Sequence, residues 1–163
     1  MPNWVKTIVH AVDSNVDFNK FTDDEGNFTF KKVIPMPEDI YEGDLGERER
    51  QQYGSRNWYD WSIENWGTKW DACHVTTYKN TILFDTAWDL ALPVIRELAR
   101  KVGELICFYA DEDIGNNCGA LFIRSDGSLK EIDANIVFAE CVWGDIDLED
   151  REDCINKFNY VLE

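Results

Sequence analysis

Histidine occurs only twice in the 163 residues, and the five cysteines include no Cys-x-x-Cys pair. Structural zinc sites need clustered ligands at short spacing, so that chemistry has no signature here. The odd, scattered set also fails as a disulfide framework. Cys73, Cys107, Cys118, Cys141 and Cys154 read as reduced, mostly buried thiols of a cytosolic protein. No apolar run approaches the ~20 residues of a membrane span. Met1-Pro2-Asn3-Trp4 leads straight into strand-like sequence, without a basic n-region or an apolar h-region, so no secretory signal is expected. Internal repeats and low-complexity tracts are missing too. Bases are scarce: 16 Lys and Arg stand against 32 Asp and Glu, a net charge of −16. A surface of that sign repels nucleic acid and anionic lipid and attracts basic proteins.

The acidic excess is uneven. Residues 101–163 carry 15 acids and 5 bases, whereas residues 51–100 carry 6 acids and 5 bases. The C-terminal third therefore holds most of the field. The length fits one domain over residues 1–163. A chain near 150 residues buries roughly 70% of its unfolded surface, so neither metal nor disulfide is required for stability.

Aromatic residues are plentiful, with seven Trp, six Tyr and nine Phe. Trp58, Trp61, Trp66 and Trp70 crowd into residues 57–72. The first three fit one broad side of a short helix. Gly67 stands where that helix needs a left-handed stop, and Ser55 is placed to cap its start. Each tryptophan buries on the order of 200 Å², so the four are expected to form the structural core.

Alternation predicts a strand over Trp4–Val12, with Val5, Thr7, Val9 and Ala11 on one side. A second strand is expected over Phe28–Val33, before Pro35. Residues 38–53 read as a surface excursion with one helical turn. Asp71–Tyr78 and Thr81–Trp88 form a hairpin joined at Lys79-Asn80. Asp89 is placed to cap a helix from about Leu90 to Val102, which Gly103 ends. Strands follow over Glu104–Ala110, Cys118–Arg124 and about Ile136–Val142, then an acidic helix over about Leu148–Leu162. Hairpins outnumber possible parallel crossovers. The expected class is α+β, a mostly antiparallel sheet with helices packed on one face.

Several runs carry a resemblance. They are Met1-Pro2-Asn3-Trp4, Lys32-Val33-Ile34-Pro35-Met36-Pro37-Glu38, Trp58-Tyr59-Asp60-Trp61, Asn65-Trp66-Gly67-Thr68-Lys69-Trp70-Asp71-Ala72 and Phe84-Asp85-Thr86-Ala87-Trp88. Together they resemble the phage- and plasmid-borne YubB-like family over roughly residues 1–124. Trp-Gly-Thr-Lys-Trp is the specific part. The chain departs from the family at Val5 and Thr7, where Cys and Asn are frequent. The resemblance implies a ferredoxin-like α+β topology, with no iron–sulfur cluster, and a mobile-element origin. It brings no catalytic residues with it. Residues 125–163, an acidic strand and helix, lie outside it.

Candidate sites follow from these patterns. Cys73 and His74 are adjacent on a predicted strand and should face opposite ways, which disfavours a shared metal site. The Asp111–Asn117 loop has oxygen ligands, but the twelfth position of an EF-hand would be Phe122 rather than Glu. Cys118 lacks an evident histidine partner. No metal, cofactor or catalytic residue is expected on these grounds. Asp60, Glu64 and Asp71 sit among tryptophans, where burial could raise a carboxyl pKa; the alternative is a small-molecule or nucleotide-binding protein or an enzyme, with a pocket beside Trp58–Trp70 and Asp60 or Asp71 as the working carboxylate. The favoured expectation is an acidic, non-catalytic interaction protein whose carboxylates occupy the Lys/Arg groove of a host nuclease or CRISPR effector. The partner-binding residues would be Asp145, Asp147, Glu149, Asp150, Glu152 and Asp153, then Asp111, Glu112 and Asp113. A homo-oligomer using a sheet edge or the aromatic patch is a further alternative.

Overall fold

The computed structural model describes residues 2–112 and 118–132. Their six strands form one antiparallel sheet: β1 (Trp4–Ala11), β2 (Cys73–Tyr78), β3 (Thr81–Ala87), β4 (Leu105–Asp111), β5 (Cys118–Ile123) and β6 (Leu129–Ile132). The order is β2-β3-β1-β4-β5-β6. Helices α1 (Glu47–Tyr53) and α2 (Trp58–Trp66) precede β2, and α3 (Leu92–Val102) joins β3 to β4. The class is α+β. The strand expected at 136–142 and the helix at 148–162 lie outside the described residues; β6 comes earlier in the chain.

Strand alternation sorts the side chains. Val9, Ala11, Ile82, Phe84, Leu105, Cys107, Leu121 and Ile123 pack in one cluster with Trp66 of α2 and with Val94, Ile95, Leu98 and Ala99 of α3. The other face of the sheet is mixed: Ile8, Leu83, Ile106, Phe108 and Ala110 are buried there, beside the Lys6–Asp85 and His10–Thr81 pairs. Strand β3 is buried at every position, Thr81, Asp85 and Thr86 included.

The segment expected as a second strand takes another course. Thr22 and Phe28 form an isolated bridge, and Phe30–Lys32 is a single 3-10 turn. The reason lies in the donors. Asp71 accepts from the Thr29 hydroxyl at 2.5 Å, from the Phe30 N–H at 2.7 Å and from its neighbour Ala72 N–H at 2.7 Å. The Thr29 hydroxyl in turn accepts from the Lys31 N–H at 3.3 Å. Side chains thus satisfy the donors that a strand partner would have taken. Phe30 is driven inward, with its ring 5.5 Å from Phe84 and 5.7 Å from Trp66.

Two caps also differ from expectation. Asn57, not Ser55, caps α2: its side-chain oxygen accepts from the Asp60 N–H at 2.9 Å. Asp89 bonds the Leu90 N–H, ahead of a helix that begins at Leu92 with Pro93 in its first turn.

Asp71→Ala should strand three donors beside the core and cost about 3 kcal/mol, read as a fall in the guanidinium unfolding midpoint. An unchanged midpoint would contradict this role.

Candidate functional site

The chain leaves α2 through Gly67, which has φ +80 and is the left-handed stop that the sequence calls for. A Cβ there would lie 3.0 Å from Pro93 Cδ and 3.3 Å from the Leu90 carbonyl oxygen. The turn lays the next residues against the end of β3. The Thr68 hydroxyl, buried, donates to the Ala87 carbonyl at 2.9 Å. Two motif runs far apart in sequence, Trp66–Trp70 and Asp85–Trp88, meet at this bond.

Beyond it stands an aromatic surface. Lys69 Nζ lies 3.9 Å from the ring centroid of Trp70 and 3.9 Å from that of Trp88. Trp70 is 37% exposed and Trp88 48% exposed. Trp88 has φ +70, a conformation that costs an L-residue roughly 1–2 kcal/mol. Its backbone N–H donates to the Asn3 carbonyl at 2.8 Å, which helps to hold it. A lysine against two indoles returns about 0.5–1 kcal/mol per ring at an exposed site. Trp4 flanks Trp70, with ring centroids 6.1 Å apart, and meets His74 edge-on at 5.3 Å.

His74 is itself displaced from plain strand geometry. It has φ +50, and the β2–β3 register shifts between Cys73 and Thr76. The alternation expected to separate Cys73 from His74 fails at this bulge. Cys73 lies opposite Asp85 in register, and His74 Nδ1 contacts Asp85 Oδ2 at 2.8 Å. Asp85 is buried, and its other oxygen lies 3.5 Å from Lys6 Nζ, an ion pair rather than a hydrogen bond. Burial first, then the Asp71 and Asp85 carboxylates, push the Cys73 thiol pKa up. The thiol is thereby held in its poorly nucleophilic form. A cavity of about 430 Å³ opens beside Asp71 and His74. Among the described residues, no three His, Cys, Asp or Glu side chains converge as metal ligands.

The expected residues fall in different places. Trp66 alone of the four tryptophans is fully buried, with its indole N–H donating to the Ile34 carbonyl at 3.0 Å. Trp61 is half-buried against it, ring centroids 5.2 Å apart. Trp58 is half-buried and donates to the Gly43 carbonyl at 3.0 Å. Trp70 is not core. The interior is knotted instead by Phe18, Phe28, Phe30 and Phe84. Asp60 accepts from the Asn57 side-chain amide at 2.6 Å, and Asp71 is spent on the three donors above, so both of these carboxylates serve local structure. Asp111 does not stand on a loop tip: it is buried at the end of β4, opposite Val5. Glu112 is exposed. Asp113, Asp145, Asp147, Glu149, Asp150, Glu152 and Asp153 lie outside the described residues. Sequence reasoning missed Lys69 and Trp88 as neighbours, and His74 and Asp85, because the bulge and the two positive φ values have no glycine to announce them.

No family model matches the sequence, and no curated protein matches it. Among solved structures, the chain is similar to api92 from Yersinia pseudotuberculosis, a protein of the DUF1281 family, at 15% identity with a TM-score of 0.40. The match covers 48% of this chain and 31% of api92, so less than a third of that protein's length is involved. Among the described residues, no helix is long and apolar enough to cross a membrane.

Gly67→Ala meets both backbone strain and the Pro93 ring, whereas Gly26, at φ +84, has nothing within 4 Å of a new Cβ. Denaturant unfolding should show Gly67→Ala losing about 2 kcal/mol, and more than Gly26→Ala. Equal losses would place Gly67 outside the packing described.

Proposed function

We propose that the chain is a non-catalytic, acidic interaction protein of a phage or other mobile element. It acts inside the host cell by occupying the basic surface of a nucleic-acid-binding defence enzyme, of the CRISPR or restriction type. The observation that carries the reading is the net charge of −16 with 15 acids against 5 bases after residue 100. Carboxylates fixed on a folded surface compete with phosphates for the same lysine and arginine side chains, and they draw on the same release of counterions.

Two features of the described residues support the setting. Intramolecular ion pairs engage Asp39, Glu42, Asp85 and Glu97. By contrast, Asp23, Asp24 and Glu25 stand exposed together on one turn with no ion pair among the described residues. The connectivity supports the ferredoxin-like reading that the family resemblance implies. Helix α2 falls between β1 and β2, α3 falls between β3 and β4, and these strands lie side by side as β4-β1-β3-β2. On this reading β5 and β6 extend the sheet beyond β4.

The test is cleavage by purified host CRISPR and restriction nucleases, with and without the protein, over a series of salt concentrations. Inhibition should weaken steeply with salt. Reversal of Asp145, Asp147, Glu149, Asp150, Glu152 and Asp153 to lysine should weaken it at least tenfold. Inhibition indifferent to both salt and charge reversal, or absent against every nuclease tried, would remove the proposal.

A further inference from the structure

The Trp70–Lys69–Trp88 cluster does something that neither the fold nor the charge requires. Two large indoles remain exposed, and one of them rides on a strained backbone, although tryptophan normally contributes through burial. What they share is a cation. Lys69 Nζ lies over both rings, 3.9 Å from each centroid, so the two centroids stand no more than twice that distance apart. One cationic group at that point touches both indoles at once. The rings are fixed from behind. Thr68 is tied to Ala87, Trp88 is tied to Asn3 through its backbone, and Trp4 backs Trp70. The lysine is a point charge on a flexible four-carbon stem, a side chain of the kind that can place its charged head in water.

We infer that Trp70 and Trp88 form a receptor for an arginine side chain of a basic protein partner, and that Lys69 occupies it in the free protein as a displaceable internal ligand. This deepens the interaction reading above and rests on it for the nature of the partner. Arginine is favoured over lysine for a physical reason. Its guanidinium is planar, weakly hydrated and able to stack on aromatic faces, while lysine's ammonium surrenders more hydration for the same contact. Displacing Lys69 returns its ammonium to water, so the exchange is nearly neutral for lysine and favourable for arginine. The chain's net charge of −16 attracts either cation without choosing between them.

The test uses acetyl-arginine amide as the probe and acetyl-citrulline amide as its neutral counterpart. Tryptophan fluorescence and calorimetry on the full chain would report binding. Lys69→Met removes the internal cation and should bind the arginine probe about fivefold more tightly than the wild type, without a matching gain for citrulline. Lys69→Gln should behave alike, which covers the case that methionine itself packs against the rings. Adding Trp88→Leu to either variant should remove the gain. No gain in either lysine variant, an equal gain for citrulline, or a gain that survives Trp88→Leu would each overturn the inference. The probe needs no nuclease, so its failure is distinct from failure of the inhibition assay.

Discussion

One buried hydroxyl-to-carbonyl bond joins the two segments that carry the exposed aromatic cluster. Thr68 donates to Ala87, and through it the end of α2 is fastened to the end of β3. The bond is buried, so breaking it would leave a donor and an acceptor in poor company. Gly67 makes it reachable by turning left-handed at the end of α2. Everything exposed and aromatic then follows. Lys69 and Trp70 come next in the chain and Trp88 follows Ala87, so the bond brings the three together, with the Trp88–Asn3 bond and the Trp4–Trp70 contact beside it.

The regular parts of the fold were readable from period and punctuation. Alternation in Trp4–Val12 gives a strand with two apolar sides, and β1 does lie inside the sheet. The hairpin through Lys79-Asn80 and the end of α2 at Gly67 were equally plain. The parts that resisted reading share a cause: side chains satisfied backbone groups that periodicity assigns to a strand or a helix cap. Phe28–Val33 has strand-like alternation, but Asp71, some forty residues later, takes the Phe30 N–H. Ser55 and Asp89 had suitable chemistry, yet Asn57 supplied the α2 cap and α3 began two residues late. Composition also could not tell which tryptophans were interior. Trp66 and Trp70 are four residues apart, and Gly67 between them sends one inward and the other to solvent.

On the proposed reading, charge and aromaticity would divide the work of recognition. A net charge of −16 attracts cations over a distance set by ionic screening, roughly 8–10 Å in ordinary buffers. It confers little discrimination between one cation and another. Two indoles in contact with one cation act only at close range, and would favour a flat delocalised cation over a hydrated point charge. The His74–Asp85 pair beside Trp4 adds a second polar feature to the same region, built on a bulge that re-aims the imidazole. The strain at Trp88 and His74 sits where the fold meets solvent, and the packed phenylalanine interior carries the stability that permits it.

The most direct test of this account is the proton chemical shift of the Lys69 ε-methylene group. With its Nζ 3.9 Å from the centroid of each of two indoles, it should resonate far upfield of ordinary lysines in the free protein. In Thr68→Val, which keeps the side-chain shape but loses the donor, it should move back toward the ordinary position while the core methyl signals stay native-like. An ordinary Lys69 shift in the wild type, or an upfield shift untouched by Thr68→Val, would contradict the claim that this one bond assembles the aromatic site.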